Sequence, residues 1–270
     1  MTLDQLDLSE ILLSARKATC LGREVLLDYY GRLSQVNEKE QAGLVTEADL
    51  ESEKVITDFL QKKYPAISLL GEESFAQKVT GPQRPKEIPQ QPCWILDPLD
   101  GTTNYVHQFP IFCISLGLMV ENQIVLAVVD APIMQQVFYA VKNKGAFLNE
   151  QPMNVSQRSE LKDSLLATGF FSQNKTLLSE QVEIFGRLIN HTRGVRRAGA
   201  AAYDLCMVAA GVFEGFWEQN LMPWDTAAGS LLVREAGGIV TNFKGESYHP
   251  LQTSILAANQ HLHTKILNII

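Results

Sequence analysis

The chain has 270 residues, of which 46% are hydrophobic and 20% are charged, and its formal net charge is -7. These are the values of a globular protein that buries a sizeable core without a disulfide or a metal ion to hold it together. The acidic balance excludes the basic surface that nucleic-acid binding requires, so no nucleic-acid partner is predicted.

The length predicts one domain over residues 1–270, in which a strand-rich half (about 1–160) packs against an alternating α/β half (about 161–270). The N-terminus is acidic and lacks the basic segment of a secretory signal, and no apolar run reaches the ~20 residues of a membrane span. The four cysteines form no CxxC pair, as expected of buried thiols in a reducing compartment. A cytoplasmic protein that does not associate with membranes is therefore predicted.

The first half is predicted to begin with two helices and to continue with short strands. Apolar residues recur at helical spacing over residues 6–30 and 50–64, and Gly31 and Pro65 end the two patterns. The polar residues 35–43 between them predict a mobile loop. A surface loop is predicted at residues 80–92. Runs rich in β-branched and aromatic residues predict strands before and after it, at residues 67–70, 94–96, 111–120, 124–130 and 136–141 and after the turn at 144–145.

From residue 164 onward, strands and helices alternate. The same patterns predict strands at residues 165–168, 194–197, 212–217, 239–241 and 255–257. They predict helices at residues 177–190, 200–211, 226–236 and at the C-terminus. With no internal repeat or linker, this order predicts layered α and β structure.

Two acids follow the buried segment at Trp94-Ile-Leu. Asp97 and Asp100 are three residues apart, and Pro98 is expected to force the chain out of the strand between them. Two carboxylates and the Leu99 carbonyl are hard oxygen ligands of the kind that Mg²⁺ prefers. Gly101 and the residues after it are predicted to start a helical turn, whose free backbone N–H groups bind phosphate. The alternative, in which these acids only cap a turn and a helix, is less favoured for the whole string.

Further acids stand where other apolar elements end. Glu72 and Glu73 directly follow the strand predicted at 67–70, and Asp225 precedes the helix predicted at 226–236. Asp49 stands before the helix predicted from residue 50. Taken singly, Asp225 and Asp49 are explained as ordinary helix caps. Their recurrence at the ends of elements favours one shared site.

Several strings resemble the inositol monophosphatase family in order and spacing, from Val45 to about Val240. They are Gly71-Glu-Glu-Ser74, Asp97-Pro-Leu-Asp-Gly-Thr-Thr-Asn104, Gly194-Val-Arg-Arg-Ala-Gly199, Trp224-Asp-Thr-Ala-Ala-Gly229 and Glu235-Ala-Gly-Gly238. The resemblance implies an α/β (α+β) fold, a layered α-β-α-β-α sandwich of the inositol monophosphatase/fructose-1,6-bisphosphatase type. It also implies an Mg²⁺-dependent phosphomonoesterase that commonly forms a homodimer.

The family pattern implies about two to three Mg²⁺ ions per site. One would be held by Glu72, Asp97 and the Leu99 carbonyl, a second by Asp97, Asp100 and Asp225, and a third, weaker ion by Glu72. These ions would reverse the negative charge of the pocket, so that an acidic protein can attract a phosphorylated substrate.

The resemblance also implies roles around the ions. Thr102 and Asp49 match residues that help to activate water near Glu72, and the amides of Gly101 and Thr102 would hold the phosphate. Glu218 matches a residue that contacts sugar hydroxyls. The matching substrate-side segment contributes Arg196, Gly199 and Ala201. For Arg196, a solvated face and a dimer contact are alternatives.

Substrate preference stays open between a small phosphorylated polyol, myo-inositol monophosphate above all, and fructose 1,6-bisphosphate or a nucleotide 3'-phosphate. Ala200 stands where many relatives carry Ser or Thr beside the substrate ring, and the loop 37–43 is one residue shorter than in some relatives, with Gly43 in place of an acid. A regulatory binding protein on a phosphatase scaffold is the alternative from another functional class.

Overall fold

The computed structural model describes residues 3, 6–38, 44–81 and 83–270 of the chain. The helices are α1 (Leu8–Tyr29), α2 (Glu47–Lys63), α3 (Glu72–Ala76), α4 (Thr102–Val106), α5 (Lys175–Ile189), α6 (Ala201–Ala209), α7 (Pro223–Glu235) and α8 (His263–Leu267). The strands are β1 (Val36–Glu38), β2 (Leu44–Thr46), β3 (Ser68–Gly71), β4 (Cys93–Asp100), β5 (Cys113–Val120), β6 (Gln123–Ala131), β7 (Gln136–Val141), β8 (Ala146–Leu148), β9 (Gln151–Met153), β10 (Leu165–Thr168), β11 (Gly194–Arg196), β12 (Gly215–Gln219), β13 (Ile239–Thr241) and β14 (Ser254–Ala258).

The strands form a hairpin and two sheets. β1 and β2 pair antiparallel. The larger sheet has seven strands in the order β3-β4-β5-β6-β7-β8-β9, antiparallel except for the parallel pair β3–β4. The smaller sheet has five strands in the order β11-β10-β12-β14-β13, in which β10 runs parallel to both of its neighbours. The sheets are therefore drawn from the strand-rich and the alternating halves of the sequence.

Side-chain alternation along β5 shows why helices cover both faces of the seven-stranded sheet. Leu116 and Leu118 belong to the core beneath α1 and α2, whereas Gly117, between them, faces Ala227 of α7, which a Cβ on Gly117 would approach to 3.3 Å. Successive residues of a strand point to opposite faces, so a strand that is buried on both sides must be apolar throughout. Every residue of β5 is buried.

The layers follow from these contacts. α1 and α2 cover the outer face of the seven-stranded sheet, and α6 and α7 lie between the two sheets and contact both. Residues of α5 and α8 pack on the smaller sheet in a separate core with Leu166, Trp217 and Leu256. The predicted α-β-α-β-α sandwich is confirmed. In the part of the chain that the structure describes, no helix combines the length and the apolar character needed to cross a membrane.

Several predicted elements and element boundaries are wrong. Val36–Glu38 forms a strand rather than a loop, because it pairs with β2; residues 39–43, including Gly43, lie outside the described residues. The strand predicted at 212–217 begins only at Gly215, and the short strand Gln151–Met153 was not predicted. Two helices begin earlier than predicted, α2 at Glu47 and α7 at Pro223.

Candidate active site

Helix α2 begins with a capping box that places Asp49. Thr46 is the N-cap residue, and its hydroxyl accepts hydrogen bonds from the backbone of Ala48 and Asp49. The Asp49 carboxylate reaches back and accepts from the Thr46 N–H (2.8 Å) and hydroxyl (2.6 Å). Asp49 is thus the third helical residue, not the cap that its position before residue 50 predicted. Such reciprocal bonds fix both side chains.

One face of α2 holds three segments that are distant in sequence. Asp49 Oδ1 accepts a hydrogen bond from the Thr102 hydroxyl (3.1 Å), and the Ser52 hydroxyl donates to the Pro98 carbonyl (3.1 Å). Glu53, which is buried, accepts from the N–H groups of Glu73 (2.8 Å) and Ser74 (2.7 Å) at the start of α3. Residues three and four apart share a helix face, so this spacing points all three side chains toward the site.

Strand β4 carries the two acids at its C-terminal end. Asp97 pairs with Ser115 of β5 and Asp100 pairs with Cys113, with an irregularity between them. The prediction that Pro98 forces the chain out of the strand is therefore wrong. Pro98 has no N–H to donate, but an irregular position tolerates that loss and lets pairing resume.

Three aspartates are oriented by backbone N–H groups. Asp97 Oδ1 accepts from the Leu99 N–H (2.9 Å), and Asp100 Oδ2 from the Ala202 N–H of α6 (2.7 Å). Asp225 lies in the first turn of α7, and its Oδ2 accepts from the Met222 N–H (2.7 Å). Asp225 is therefore the third residue of α7, and the alternative in which it is the N-cap does not apply. Charge-assisted bonds of this length hold each carboxylate in one orientation.

Packing brings the fourth acid to this group. Glu72 is the first residue of α3, and Phe75 of the same helix packs against Trp224 of α7, with ring centroids 5.7 Å apart. The Ser115 hydroxyl of β5 also donates to the Trp224 carbonyl (2.9 Å). β4, α3 and α7 therefore meet at the place where their acids lie.

The electrostatics indicate that these acids lie near one another. Burial raises the pKa of Asp97 well above its usual range, and the charges of Glu72, Asp100 and Asp225 raise it further. Burial also raises the pKa of Asp100, with a further contribution from Asp225. Buried carboxylates that face one another resist ionisation unless a positive charge joins them.

The donor set fits a hard divalent cation. Among the described residues, no three acidic, histidine or cysteine side chains already form a closed set of metal ligands, so the four carboxylates lie as an open group. All the donors are oxygens, the Leu99 carbonyl lies between the two β4 acids, and three of the carboxylates are already oriented. These are the properties that Mg²⁺ coordination requires.

Gly101 connects the acids to α4. It is the N-cap residue of this short helix and has a φ of 96°, in the left-handed region where other residues are strained. Thr102 follows as the first helical residue, and its hydroxyl also lies 3.1 Å from the Leu99 carbonyl. The structure therefore brings Gly101 and Thr102 beside the acids, and the Thr102 hydroxyl contacts Asp49.

A cavity of about 130 Å³ adjoins the acid group. Its lining comprises Asp100, Thr168, Gly169, Arg197, Gly199, Ala200, Ala201, Asp204, Glu218, Leu221 and Asp225. Asp100 and Asp225 thus form one part of the wall, and residues predicted to bind the substrate form another. The cavity places Gly199, Ala201 and Glu218 together, as predicted from the sequence.

Glu218 lines this cavity, and Gly169 lies directly against its carboxylate. Its carboxylate packs so closely on Gly169 that a Cβ there would overlap it. Burial raises the pKa of Glu218 to about 8, while Arg197 acts to lower it. Gly169 was not singled out from the sequence, because a glycine after a strand is usually read as a turn.

Arg196 does not line the cavity. It is exposed, and among the residues that the structure describes its guanidinium donates only to the neighbouring Val195 carbonyl (3.4 Å). The next residue, Arg197, lines the cavity instead. Adjacent residues of an extended segment point in opposite directions, so an error of one position exchanges an inward side chain for an outward one. Asp204 and Thr168 were also missed, since neither stands in a motif.

The comparison with protein families rests on almost the whole chain. Residues 7–270 match the model of the inositol monophosphatase family. The chain belongs to this family. An inositol-1-monophosphatase from Synechocystis sp. is 38% identical over 261 residues, which are 96% of this chain and 88% of that protein. The Nus factor SuhB of Pseudomonas aeruginosa is 39% identical, over 87% of this chain and 85% of its own length.

Solved structures of the inositol monophosphatase family share the fold. The extragenic suppressor protein suhB of Bartonella henselae superposes with a TM-score of 0.88 and is 36% identical. The match covers 96% of this chain and 98% of that one. The fold and the family assignment therefore agree.

In this member of the inositol monophosphatase family, Ala200 leaves the start of α6 without a capping side chain. Ala200 is the N-cap residue and makes no side-chain hydrogen bond to the helix. Asp100 supplies the acceptor instead, through its bond from the Ala202 N–H. A hydroxyl at position 200 is therefore not needed to satisfy that backbone group.

Replacing Gly169 with alanine is expected to destabilise the protein by about 0.5–1.5 kcal/mol, because the new methyl group forces the Glu218 carboxylate to turn out of its rotamer. Gly186 is the matched control. It lies in α5, and a Cβ there meets nothing within 4 Å, so Gly186→Ala is expected to stabilise by up to about 1 kcal/mol. Urea unfolding of both variants measures the difference. Equal effects of the two substitutions would contradict the close contact at Gly169.

Proposed function

We propose that the protein is an Mg²⁺-dependent phosphatase of small phosphate monoesters, with myo-inositol monophosphate as its preferred substrate. The observation that carries this proposal is the open group of Glu72, Asp97, Asp100 and Asp225 beside a polar cavity. Four acids gathered at the ends of buried elements cost folding free energy, and a cation-dependent reaction gives them a use.

The metal ligands are proposed residue by residue. Glu72, Asp97 and the Leu99 carbonyl would hold one ion, Asp97, Asp100 and Asp225 a second, and Glu72 a third. Bound Mg²⁺ lowers the pKa of water and stabilises negative charge on a leaving oxygen. The backbone bonds to Asp97, Asp100 and Asp225 keep these carboxylates from turning away.

Thr102 and Asp49 are proposed to orient the attacking water. The Thr102 hydroxyl donates a hydrogen bond to Asp49 Oδ1, 3.1 Å away. Its oxygen is then left to accept a hydrogen bond from the water. Asp49 is itself fixed by two bonds from Thr46. The N–H groups of Gly101 and Thr102 would hold the phosphate, and Glu218 would bind hydroxyls of the alcohol part.

Several broader properties are proposed on the family assignment. The two sheets share the α6–α7 layer, which supports one catalytic unit over residues 1–270. We propose that the unit works in the cytoplasm as a homodimer. Arg196 is then free for solvent or a subunit contact.

A second candidate is a non-enzymatic role, alone or alongside catalysis. It is favoured by relatives that carry the name Nus factor SuhB, such as the protein of Pseudomonas aeruginosa. The acid group favours an enzyme, since a binding scaffold has no use for four carboxylates that repel one another.

The deciding experiment measures phosphate release from inositol 1-phosphate with and without millimolar Mg²⁺. Fructose 1,6-bisphosphate and a nucleotide 3'-phosphate are assayed in parallel. Release from the inositol ester that depends on Mg²⁺ is the expected result. Release from another ester alone would keep the chemistry and change the substrate. A folded protein that hydrolyses none of the three would leave the non-enzymatic role as the better proposal.

A binding measurement tests the metal requirement without catalysis. Inorganic phosphate is expected to bind measurably in calorimetry with Mg²⁺ present and at least about tenfold more weakly without it, because bare carboxylates repel the anion. Equal phosphate affinity in the two buffers would contradict the proposed role of the acids.

A further inference from the structure

Asp204 is a buried carboxylate that the proposed catalytic arrangement does not use. It lies on α6, and only 1% of its surface is exposed. Its Oδ1 atom is buried and meets no hydrogen-bond partner among the described residues. Asp204 nevertheless lines the cavity beside the acid group, together with Glu218 and Arg197.

This position is costly for the folded protein. A buried polar atom without a partner loses its bonds to water and gains none, and a buried charge loses more. Arg197 lies near enough to lower the pKa of Asp204, but in the part of the chain described here the two residues form no ion pair. Burial and Glu218 act in the opposite direction and raise that pKa. The rest of α6 is apolar, so Asp204 does not serve the packing of the helix.

The Asp204 Oδ1 atom that has no partner among the described residues indicates what the cavity binds. A free carboxyl oxygen inside a cavity is satisfied by a hydrogen-bond donor that arrives with the ligand. The donor must be small and must not be an anion, because Glu218 already places a second acid on the same wall, and Arg197 on that wall disfavours a cation. Hydroxyl groups have this property, whereas a second phosphate group would face two acids and only one guanidinium.

We propose that Asp204 is a specificity-determining residue that accepts a hydrogen bond from a hydroxyl group on the alcohol part of the substrate. Together with Glu218, it selects monophosphate esters of hydroxyl-rich alcohols and disfavours substrates that carry a second phosphate on that part. This inference rests on the proposed phosphatase function and names a specificity element within it.

The test compares two esters that differ in hydroxyl groups. Asp204→Ala is expected to lower kcat/KM for inositol 1-phosphate about tenfold, mainly through KM, since a buried hydrogen bond to the substrate is lost. Phenyl phosphate has no hydroxyl on its alcohol part, so its kcat/KM should stay within about twofold. The Mg²⁺ concentration for half-maximal activity should not change.

Two further variants separate specificity from structure. Asp204→Asn keeps the shape of the side chain and is expected to raise the Tm by several degrees, because it removes a buried carboxylate that Glu218 repels. Asp130→Asn is the matched control. Asp130 is equally buried but is paired with Arg23 at 2.6 Å and does not line the cavity, so the ratio of the two kcat/KM values should be unchanged.

The outcomes distinguish the specificity role of Asp204 from the proposed phosphatase function. A loss that is equal for both esters, or no loss for either, would overturn the specificity role of Asp204 and leave the phosphatase intact. A wild-type protein that hydrolyses neither ester would overturn the inositol ester as the proposed substrate, and the role of Asp204 with it. A fall confined to the inositol ester supports the assignment.

Discussion

Replacing Asp97 with asparagine is expected to lower Mg²⁺-dependent phosphate release by about 10³-fold or more, while the protein stays folded. Asp97 is the acid proposed to be shared by two ions, so its loss disturbs both. It is 2% exposed and faces Glu72, Asp100 and Asp225. Asparagine keeps the shape of the side chain and its bond from the Leu99 N–H but removes one of four like charges.

The thermal behaviour of this variant provides an independent check. Without Mg²⁺, Asp97→Asn is expected to unfold at a higher temperature than the wild type, because a buried charge beside other acids is gone. Millimolar Mg²⁺ should raise the Tm of the wild type and shift that of the variant much less. Retained turnover, or the same Mg²⁺ shift in both proteins, would show that Asp97 does not hold the ions.

Replacing Glu53 with alanine is expected to destabilise the protein by about 2–4 kcal/mol and to weaken Mg²⁺ binding by about 10- to 100-fold. Glu53 is not a proposed ligand. Its carboxylate accepts from the N–H groups of Glu73 and Ser74, and from the Ser74 hydroxyl, so it fixes the first turn of α3. Without it, two N–H groups lose their acceptor, and Glu72 is no longer held toward the other acids.

Asp58 provides the matched control for Glu53. It is an exposed carboxylate on the same helix, so Asp58→Ala should change stability by less than about 0.5 kcal/mol and leave Mg²⁺ binding unchanged. Glu53→Gln keeps an acceptor of similar length and should fall between wild type and alanine. Urea unfolding and Mg²⁺ titration calorimetry measure both effects. Normal Mg²⁺ affinity in the alanine variant would mean that Glu72 is positioned by other contacts.

The sequence predicted the layers and most elements because their signals are local. β5 is apolar at every position except Ser115 and α1 is amphipathic, and neither pattern depends on distant residues. The path at Pro98 was mispredicted because proline normally ends a strand, whereas pairing of Asp100 with Cys113 carries the strand past it. Pairing with another strand is a tertiary effect that a single segment does not reveal.

Site residues were predictable only where they stand in a motif. Asp97, Asp100 and Asp225 occupy the ends of recognisable elements. Asp204 lies inside an Ala-rich helix, where an acid normally faces solvent, and only the packing of α6 between the sheets shows that it is buried. The choice between Arg196 and Arg197 depended on the exact end of β11, and element boundaries are the weakest part of a pattern.

The hydrogen bonds from α2 to three separate segments also have a consequence for the order in which the protein folds. The bond between Asp49 and Thr102 joins residues 53 positions apart, and that between Ser52 and Pro98 spans 46 positions. Such contacts form only after the outer helical layer has docked on the sheet, whereas helices themselves form locally and fast. During refolding, phosphate release would then recover later than the helical circular dichroism signal. The delay between the two would measure how long the helical layer takes to dock on the sheet.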